Sequence, residues 1–398
     1  MFRAHWWAAV ATVTRLVGDL EVAEDAVQDA CTAALAQWPA AGLPANPGSW
    51  LIGTACHKAL DRLRRERRRS QREAQAARDA PASAPAAGRL AGTDDELALI
   101  FTCCHPALDP AARVALTLRA VCGLTTAQIA AAFLVPEPTM AQRIVRAKRK
   151  IRLAGIAFKV PSTGGLPGRL GAVLRVVYLV FTEGHQATSG DTLIRAGLCD
   201  QAVRLAQVLA TLLPDEPEVM GLLALLLLTD ARRGARTASD GSLILLPDQD
   251  RSRWNAAMIA EGEQVLERAL RQGRPGPYQL HAAIAACHSV APSAEATDWR
   301  QIALLYGELM THEPSPVVAA NRAVAVAMAQ SPAAGLALLD DAGAGGRLAR
   351  WPQFHIARAE LLRRLGRTAE AARAYEAALR LEPAAPEREF LTGRLRSL

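Results

Sequence analysis

Residues 124–151 read LTTAQIAAAFLVPEPTMAQRIVRAKRKI, and this stretch decides the fold class. Its first half predicts a short helix, because three apolar side chains recur at helical spacing: Ile129, Ala130 and Phe133. The segment Leu134-Val135-Pro136 interrupts that helix. Pro136 and Pro138 suit the opening turn of a second helix, where the missing N–H of proline costs little.

The second helix is amphipathic and strongly basic. One face is apolar, with Met140, Ile144 and Ala147, and the other carries Gln142, Arg143, Arg146, Arg149 and Lys150. A small-residue helix packed beneath a basic helix is typical of a helix-turn-helix, which inserts its second helix into the major groove. Thr125 or Thr126 would cap the first helix, whose N-terminal amides can meet a phosphate. The alternative is an amphipathic helix pair with a solvated basic face.

The charge is distributed unevenly along the chain. Residues 1–160 hold 21 basic and 14 acidic side chains, which accounts for the whole net charge of +7, whereas residues 161–398 hold 25 of each. This asymmetry favours an N-terminal part that binds a polyanion and a C-terminal part that faces protein or ligand.

A second basic cluster occupies a predicted helix over Ser49–Arg69, with Ser49 as its N-cap. An apolar stripe runs along it: Trp50, Leu51, Ala55, Ala59, Leu60 and Leu63. The remaining faces are rich in arginine. A basic helix next to a tryptophan and a short polar loop (45–48) suits a nucleic-acid single strand, whose bases stack while arginines meet phosphates. The alternative is a solvated charged helix.

The rest of the chain also predicts helices, with almost no strand pattern after residue 161. Helical periodicity over 10–38 is broken at Gly18-Asp19, and 39–48 reads as a loop. Residues 94–155 form a second compact helical unit, and 160–168 are another break. Met220–Ala231 is too short to cross a bilayer and reads as a core helix.

Cysteine usage indicates a reducing compartment. The seven cysteines show no paired spacing, and there is no secretory leader, so we expect a cytoplasmic protein that does not associate with membranes. Cys103, Cys104 and His105 are adjacent, yet no further ligands complete a zinc set. Buried thiols explain them better, and the sequence predicts neither a metal nor a cofactor.

The C-terminal residues 354–383 fit the tetratricopeptide (TPR) pattern of a helix pair. The small, turn, aromatic and terminating positions are taken by Ala359, Gly366, Ala371, Tyr375, Ala378 and Pro383. Comparable helices end at Pro214 and Pro314. The sequence therefore predicts a stack of helical hairpins, of a kind that offers a concave surface to a protein or peptide partner.

Read together, the two basic clusters, the linker-like stretch between them and the segment AEDAVQDACTAALAQW (23–38) resemble an extracytoplasmic-function (ECF) sigma factor of bacterial RNA polymerase, over about residues 3–158. The resemblance implies an all-α chain with sigma domain 2 (1–70), a flexible linker (71–93), sigma domain 4 (94–158) and a TPR-like regulatory extension (159–398). It is similar to the subgroup that carries such an extension, which governs activity from within the chain. One departure is that Pro136-Glu137-Pro138 stand where the turn usually has serine, glutamate and glycine.

The resemblance also implies partners and site residues. Core RNA polymerase, through its β′ clamp and β flap, and promoter DNA would be the partners. Asp25, Gln28 and Asp29 would face the clamp. The −10 element would meet Asn46, Trp50, His57, Lys58, Arg62 and Arg65. The −35 element would meet Thr126, Thr139, Gln142, Arg143, Arg146, Lys148 and Arg149, of which Lys148 and Arg149 hold phosphates.

Two other function classes remain open from sequence. A helix-turn-helix regulator with a TPR sensor, acting without core polymerase, explains 124–151 and the extension, but it gives no role to the 49–69 helix. A TPR-bearing enzyme would have to use polar residues of the extension: Glu183, His185, Asp250, Arg251, Tyr278, His281 and His288. No nucleophile motif, phosphate loop or metal spacing accompanies them, and interhelical contacts explain them better.

Overall fold

The computed structural model describes residues 2–74, 93–132, 135–161, 166–187 and 193–398, and throughout these ranges the regular elements are helices. The only β pairing within them is an isolated bridge between Thr237 and Leu243. The all-α prediction is therefore confirmed. The chain divides into two compact units, Met1–Val176 and Val177–Leu398. Among the described helices, none has the length and apolar character needed to span a membrane.

The described residues of the first unit form seven helices and the beginning of an eighth. They are α1 Phe2–Val17, α2 Leu20–Ala41, α3 Pro47–Ala74, α4 Thr93–Cys103, α5 Pro110–Ala120, α6 Thr126–Ala132, α7 Glu137–Leu153 and α8 Leu166–His185. The predicted break at Gly18-Asp19 is confirmed, because Gly18 has a φ of 73° and Asp19 accepts hydrogen bonds from the N–H groups of Glu21 and Val22. Both predicted DNA-binding helices, α3 and α7, lie in this unit.

The loop predicted over 39–48 is shorter than expected, and Ser49 is not the N-cap of α3. Helix α2 continues through Pro39, whose ring leaves the carbonyl of the solvent-exposed Leu35 to be hydrated. Helix α3 begins at Pro47, and the Oδ1 atom of Asn46 accepts the N–H of Ser49 at 3.0 Å. Asn46 is thus the cap, since proline at the first helical position needs no partner for a missing N–H.

The predicted linker, 71–93, falls mostly on residues 75–92, which lie outside the described part of the chain. Helix α3 includes its first residues and extends to Ala74, and α4 begins at Thr93. The division into two units does not separate the two predicted sigma domains, which share the first unit. The four-part division of the chain stays a prediction.

In its described part, the second unit contains the rest of α8 and ten further helices. They are α9 Ala196–Leu212, α10 Pro217–Asp230, α11 Ala256–Leu270, α12 Pro277–Ser289, α13 Trp299–His312, α14 Pro316–Ala329, α15 Pro332–Gly343, α16 Pro352–Arg364, α17 Thr368–Leu379 and α18 Ala385–Arg396. Three short 3₁₀ helices connect α10 to α11: Arg233–Ala235, Leu246–Asp248 and Arg251–Arg253. Helix α10 is buried around nearly its whole circumference, so the predicted core helix is confirmed.

The predicted C-terminal helix pair is present as α16 and α17. The side chains expected to pack between the two helices, Ala359, Ala371, Tyr375 and Ala378, are all fully buried. Gly366 makes the turn with a φ of 73°, which favours glycine. Helices α9 and α13 end just before Pro214 and Pro314, also as predicted. The assignment of these hairpins to the TPR class stays a prediction.

Candidate nucleic-acid and polymerase interface

Helices α6 and α7 form the predicted helix-turn-helix. Thr125 and Gln128 make a capping box at the start of α6: each side chain bonds the backbone N–H of the other residue, at 3.2 Å and 3.0 Å. Thr125, rather than Thr126, is therefore the cap. On α7 the predicted apolar face is buried, with Met140, Ile144 and Ala147. Phe133 lies outside the described residues.

The polar face of α7 carries most of the predicted −35 residues. Thr139, Gln142, Arg146 and Arg149 are exposed, and Thr126 and Arg143 are half-buried. The Nε group of Arg146 donates to the backbone carbonyl of Gln142, which holds the guanidinium along the helix surface. Pro136 precedes α7 without a side-chain cap, so the first amides of α7 are not occupied by a serine hydroxyl as in the usual pattern.

Helix α3 presents the predicted −10 residues. Trp50 is half-buried and meets Trp38 edge to face, with ring centroids 5.3 Å apart. His57 and Arg65 are exposed and Lys58 is half-buried. Asn46 uses its side-chain oxygen to cap α3, which leaves the amide NH₂ of the same side chain as the group available to a base.

The predicted polymerase-binding residues lie on α2, beside α3. Gln28 and Asp29 are exposed. Asp25 instead forms an ion pair with Arg62 of α3, with 2.6 Å between Oδ2 and Nη1, and both side chains stay about two-fifths exposed. A residue expected to face polymerase and one expected to face DNA thus pair with each other. At this exposure the pair contributes little to stability, about 0–1 kcal/mol.

An unexpected ion-pair cluster joins α2 to α7. Glu24 is 2% exposed, and its Oε2 atom lies 2.7 Å from the Nζ of Lys148 and 3.6 Å from the Nε of Arg119. The Lys148 side chain is only 13% exposed. In this arrangement Lys148 is paired with Glu24. It is therefore not accessible to DNA phosphate, which the sequence predicted as its partner.

A second contact extends the cluster toward solvent. Arg152, in the last turn of α7, pairs with Asp19 at 3.0 Å and with Glu21 at 2.5 Å. Both acidic residues lie at the start of α2, and their proximity raises the pKa of Arg152. Sequence reasoning missed this α2–α7 cluster (Asp19, Glu21, Glu24, Arg119, Lys148 and Arg152). The pairs join residues at least 95 positions apart, which no periodicity reveals.

The cysteine–histidine sequence at 103–105 is structural. Cys103 and Cys104 are buried, and burial raises the pKa of both thiols, that of Cys104 to about 11. The Nδ1 of His105 accepts the N–H of Ala107. These groups hold the turn between α4 and α5.

The polar residues of the extension that suggested an acid/base site are not gathered in one place. Glu183 pairs with Arg195 at 3.1 Å, His281 lies 3.8 Å from Glu313, and Arg251 donates to the backbone carbonyls of His288 and Ala291. Asp250 caps the 3₁₀ helix at Arg251–Arg253, and Tyr278 meets Tyr178 edge to face. Each of these contacts joins elements of the second unit.

His185 has different neighbours, and they invite comparison with a metal site. Its ring lies with Cys199 and Asp230, and one ligand atom from each falls within 4.8 Å of the others. However, both Asp230 oxygens accept hydrogen bonds from Arg233. Burial, followed by the charges of Arg236 and its neighbours, lowers the pKa of His185 well below its ordinary value. So much positive charge opposes a cation here.

Comparison with known proteins supports the sigma-factor class. Residues 1–69 match the family model described as Sigma-70 region 2, and residues 98–151 match Sigma-70, region 4. Over 198 residues the chain is 32% identical to the probable ECF RNA polymerase sigma factor SigI of Mycobacterium tuberculosis. The chain belongs to the ECF group of the sigma-70 family.

The match to SigI covers 48% of this sigma factor and 64% of the mycobacterial protein. A second relative, an uncharacterized protein of Rhizobium meliloti, is 43% identical over 388 residues, which span 96% of this chain and 91% of the relative. Residues 169–270 match a family of unknown function, DUF6596. No solved structure matches. The helix pairs α2–α3 and α6–α7 of this sigma factor therefore lie in regions 2 and 4, respectively.

Proposed function

We propose that this sigma factor binds core RNA polymerase and directs promoter-specific initiation. Helix α2 would meet the β′ clamp, α3 the unpaired −10 strand and α7 the −35 duplex, with region 4 on the β flap. The supporting observation is that a helix expected to bind polymerase or DNA exposes a polar face in each of regions 2 and 4. Gln28 and Asp29 are exposed on α2, and Gln142, Arg146 and Arg149 on α7.

Binding of the unpaired −10 strand needs a site for an extracted base, and the position of Trp50 supports this role. Its ring is half-buried, so one part is anchored against Trp38 while another part meets solvent. Extraction of a base costs a few kcal/mol, so such a site favours a strand that polymerase has already melted. His57, Lys58 and Arg65 would meet the phosphates of that strand.

Binding to both promoter elements would require the α2–α7 cluster to open. The element names place the two sites about 25 base pairs apart, which is about 85 Å at 3.4 Å per base pair. In the structure α2 and α7 are in direct contact through Glu24 and Lys148. We therefore interpret the first unit as a closed state, in which the α2–α7 cluster withholds Lys148 and Arg152 from DNA.

The C-terminal unit would control this opening. The Rhizobium meliloti relative aligns over 96% of the chain, so it carries the extension together with both sigma regions. Because the extension and the sigma regions share one polypeptide, each is present at a high effective concentration around the other, and no separate regulator would be required. The helical hairpins could also receive a peptide or protein partner on their concave side.

The deciding experiment is run-off transcription with core RNA polymerase on promoters from the source genome. The full chain would be compared with a chain that ends near Pro161, between α7 and α8. We expect initiation that depends on core polymerase and differs in extent between the two chains. Failure of both chains to initiate at every promoter would reject the proposal. Specific duplex binding without core polymerase would support the helix-turn-helix regulator instead.

A further inference from the structure

A cavity of about 340 Å³ lies within the second unit, and neither sigma region contributes to it. It forms where the segment between α10 and α11 meets α14 and α16, which are the first helices of successive hairpins, and the last helix, α18. Its volume is at the lower end of those that hold small organic ligands.

Two arginines from the turn after α10 give this cavity its charge. Arg236 is buried and donates to the backbone carbonyl of His185. Arg232 is half-buried, and no hydrogen-bond acceptor reaches its guanidinium from the described residues. Glu387 supplies a carboxylate to the cavity wall near Arg236, so one of the two positive charges remains unbalanced.

The electrostatic strain at these arginines agrees with an unfilled anion position. Burial, followed by the charge of Arg251, lowers the pKa of Arg232 to about 10. Burial, followed by the charge of Arg232, lowers the pKa of Arg236 to about 10. Both groups stay charged near neutral pH, and a bound anion would offset their desolvation and mutual repulsion.

The remaining wall defines what the anion must carry. Trp351, Phe354 and Phe390 provide an aromatic surface. Gln249 is 8% exposed and donates to the carbonyl of Ile244, while its buried Oε1 atom has no hydrogen-bond partner in the described structure. A ligand with a flat apolar body would cover the aromatic rings, and an N–H or O–H group would satisfy Gln249.

We propose that this cavity binds a small organic anion, either a carboxylate or a phosphomonoester, that carries an aromatic body and a hydrogen-bond donor. Arg232 would hold the anionic group, and Trp351 would lie against the ring. The site would make the extension a receptor for a metabolite of this class. This inference concerns binding alone, so it does not depend on whether the chain initiates transcription.

The test measures equilibrium binding to the full chain, with tryptophan fluorescence as the signal and Trp351 as the residue expected to respond. The probes are 4-hydroxybenzoate and 4-hydroxyphenyl phosphate, with phenol as the neutral analogue and inorganic phosphate as the anion without a ring. We expect saturable binding of at least one aromatic anion, with phenol and inorganic phosphate at least tenfold weaker. The tighter of the two aromatic anions identifies the preferred anionic group. The variant W351F should lose the fluorescence change.

Three variants test the assigned roles. Arg232→Gln should weaken binding about tenfold or more, the expected effect of removing a charged hydrogen bond. Asn321→Asp, which adds a carboxylate to the cavity wall with little change of shape, should weaken it as well. Arg253→Gln removes an exposed arginine outside the cavity and should leave the affinity within twofold. Absence of binding by both aromatic anions, or equal affinity in wild type and Arg232→Gln, would overturn the proposal.

Discussion

At the scale of single residues, the exposed and the paired members of the predicted polymerase surface are expected to behave differently. Asp25 is engaged by Arg62, so its replacement also releases a cation on α3. Gln28 and Asp29 are exposed on α2, so their replacement changes the surface without loss of packing. They are the cleaner test of this surface.

We therefore predict that Gln28→Ala and Asp29→Ala each weaken the binding of core polymerase about tenfold, while the melting temperature stays within about 2 °C of wild type, because surface substitutions cost little stability. Competition against a labelled sigma factor would measure the affinity. The control is Gln37→Ala, an exposed amide eight residues beyond Asp29 on α2. If Gln37→Ala weakened polymerase binding equally, the surface that carries Gln28 and Asp29 would not be the specific binding surface.

Arg143 is predicted to read the −35 element. Arg143→Ala should reduce discrimination between the preferred sequence and a base-substituted one by about 1–3 kcal/mol, the contribution of a bidentate arginine–guanine contact. Promoter competition in run-off transcription would measure it. Lys159→Ala removes an exposed cation beyond α7 and should change affinity without changing selectivity. Unaltered selectivity in Arg143→Ala would refute the role.

Sequence reasoning succeeded where one segment determines its own structure. The apolar stripe of α7 and its exposed polar face follow from periodicity, and Met140, Ile144 and Ala147 are buried as expected. It did not predict the burial of Lys148, because that burial depends on Glu24, 124 positions earlier. A long-range pair of this kind leaves no local pattern, since either residue alone reads as a solvated charge.

At the scale of elements, helix ends were harder to predict than helices. Pro39 suggested a loop, yet α2 continues to Ala41, and Asn46 rather than Ser49 caps α3. Both differences arise in terminal turns, where a few hydrogen bonds of about 1 kcal/mol each decide whether the chain stays helical. The cavity residues were missed for another reason: Arg232 and Trp351 meet only through the packing of distant hairpins.

The α16–α17 hairpin gives a pH-dependent prediction. The hydroxyl of Tyr375 donates to Glu360 at 2.5 Å. Burial alone would raise the pKa of Glu360, but Tyr375 and Arg363 hold it below its ordinary value of 4.5. A carboxylate with a lowered folded-state pKa contributes stability above the unfolded-state pKa and loses that contribution as pH falls through the folded-state value.

Accordingly, Tyr375→Phe should destabilise the chain by about 1.5–3 kcal/mol at pH 7, the contribution of a hydrogen bond to a charged group. The difference from wild type should persist down to about pH 5 and shrink below pH 4.5, because protonated Glu360 accepts more weakly. Urea unfolding at several pH values would measure it. Tyr278→Phe, which removes a hydroxyl elsewhere in the second unit, is the control; a constant difference at all pH values for Tyr375→Phe would contradict the assignment.

At the scale of the whole molecule, the first unit holds regions 2 and 4 together by charge. The α2–α7 cluster places acidic groups of region 2 against basic groups of region 4. A buried pair costs about 3–5 kcal/mol when one partner is lost, because the other charge stays desolvated. A charge reversal at the cluster should therefore favour the open state.

Glu24→Lys would place a third cation beside Arg119 and Lys148. We predict that it separates α7 from α2 and raises the radius of gyration of the full chain, measured by small-angle X-ray scattering, while helix content from circular dichroism is retained. The swapped double variant, Glu24→Lys with Lys148→Glu, restores opposite charges and should restore the compact size. If Glu24→Lys stays as compact as wild type, the ion pairs do not hold the closed state.

The contact between Trp38 and Trp50 has a practical consequence. Two indole rings with centroids 5.3 Å apart and planes inclined by 64° couple their electronic transitions. Such coupling depends steeply on mutual orientation. If Trp50 rotates to receive a base, the near-ultraviolet dichroism of the pair should change in step with promoter melting. The pair would then serve as a built-in optical probe of strand capture, readable without any attached dye.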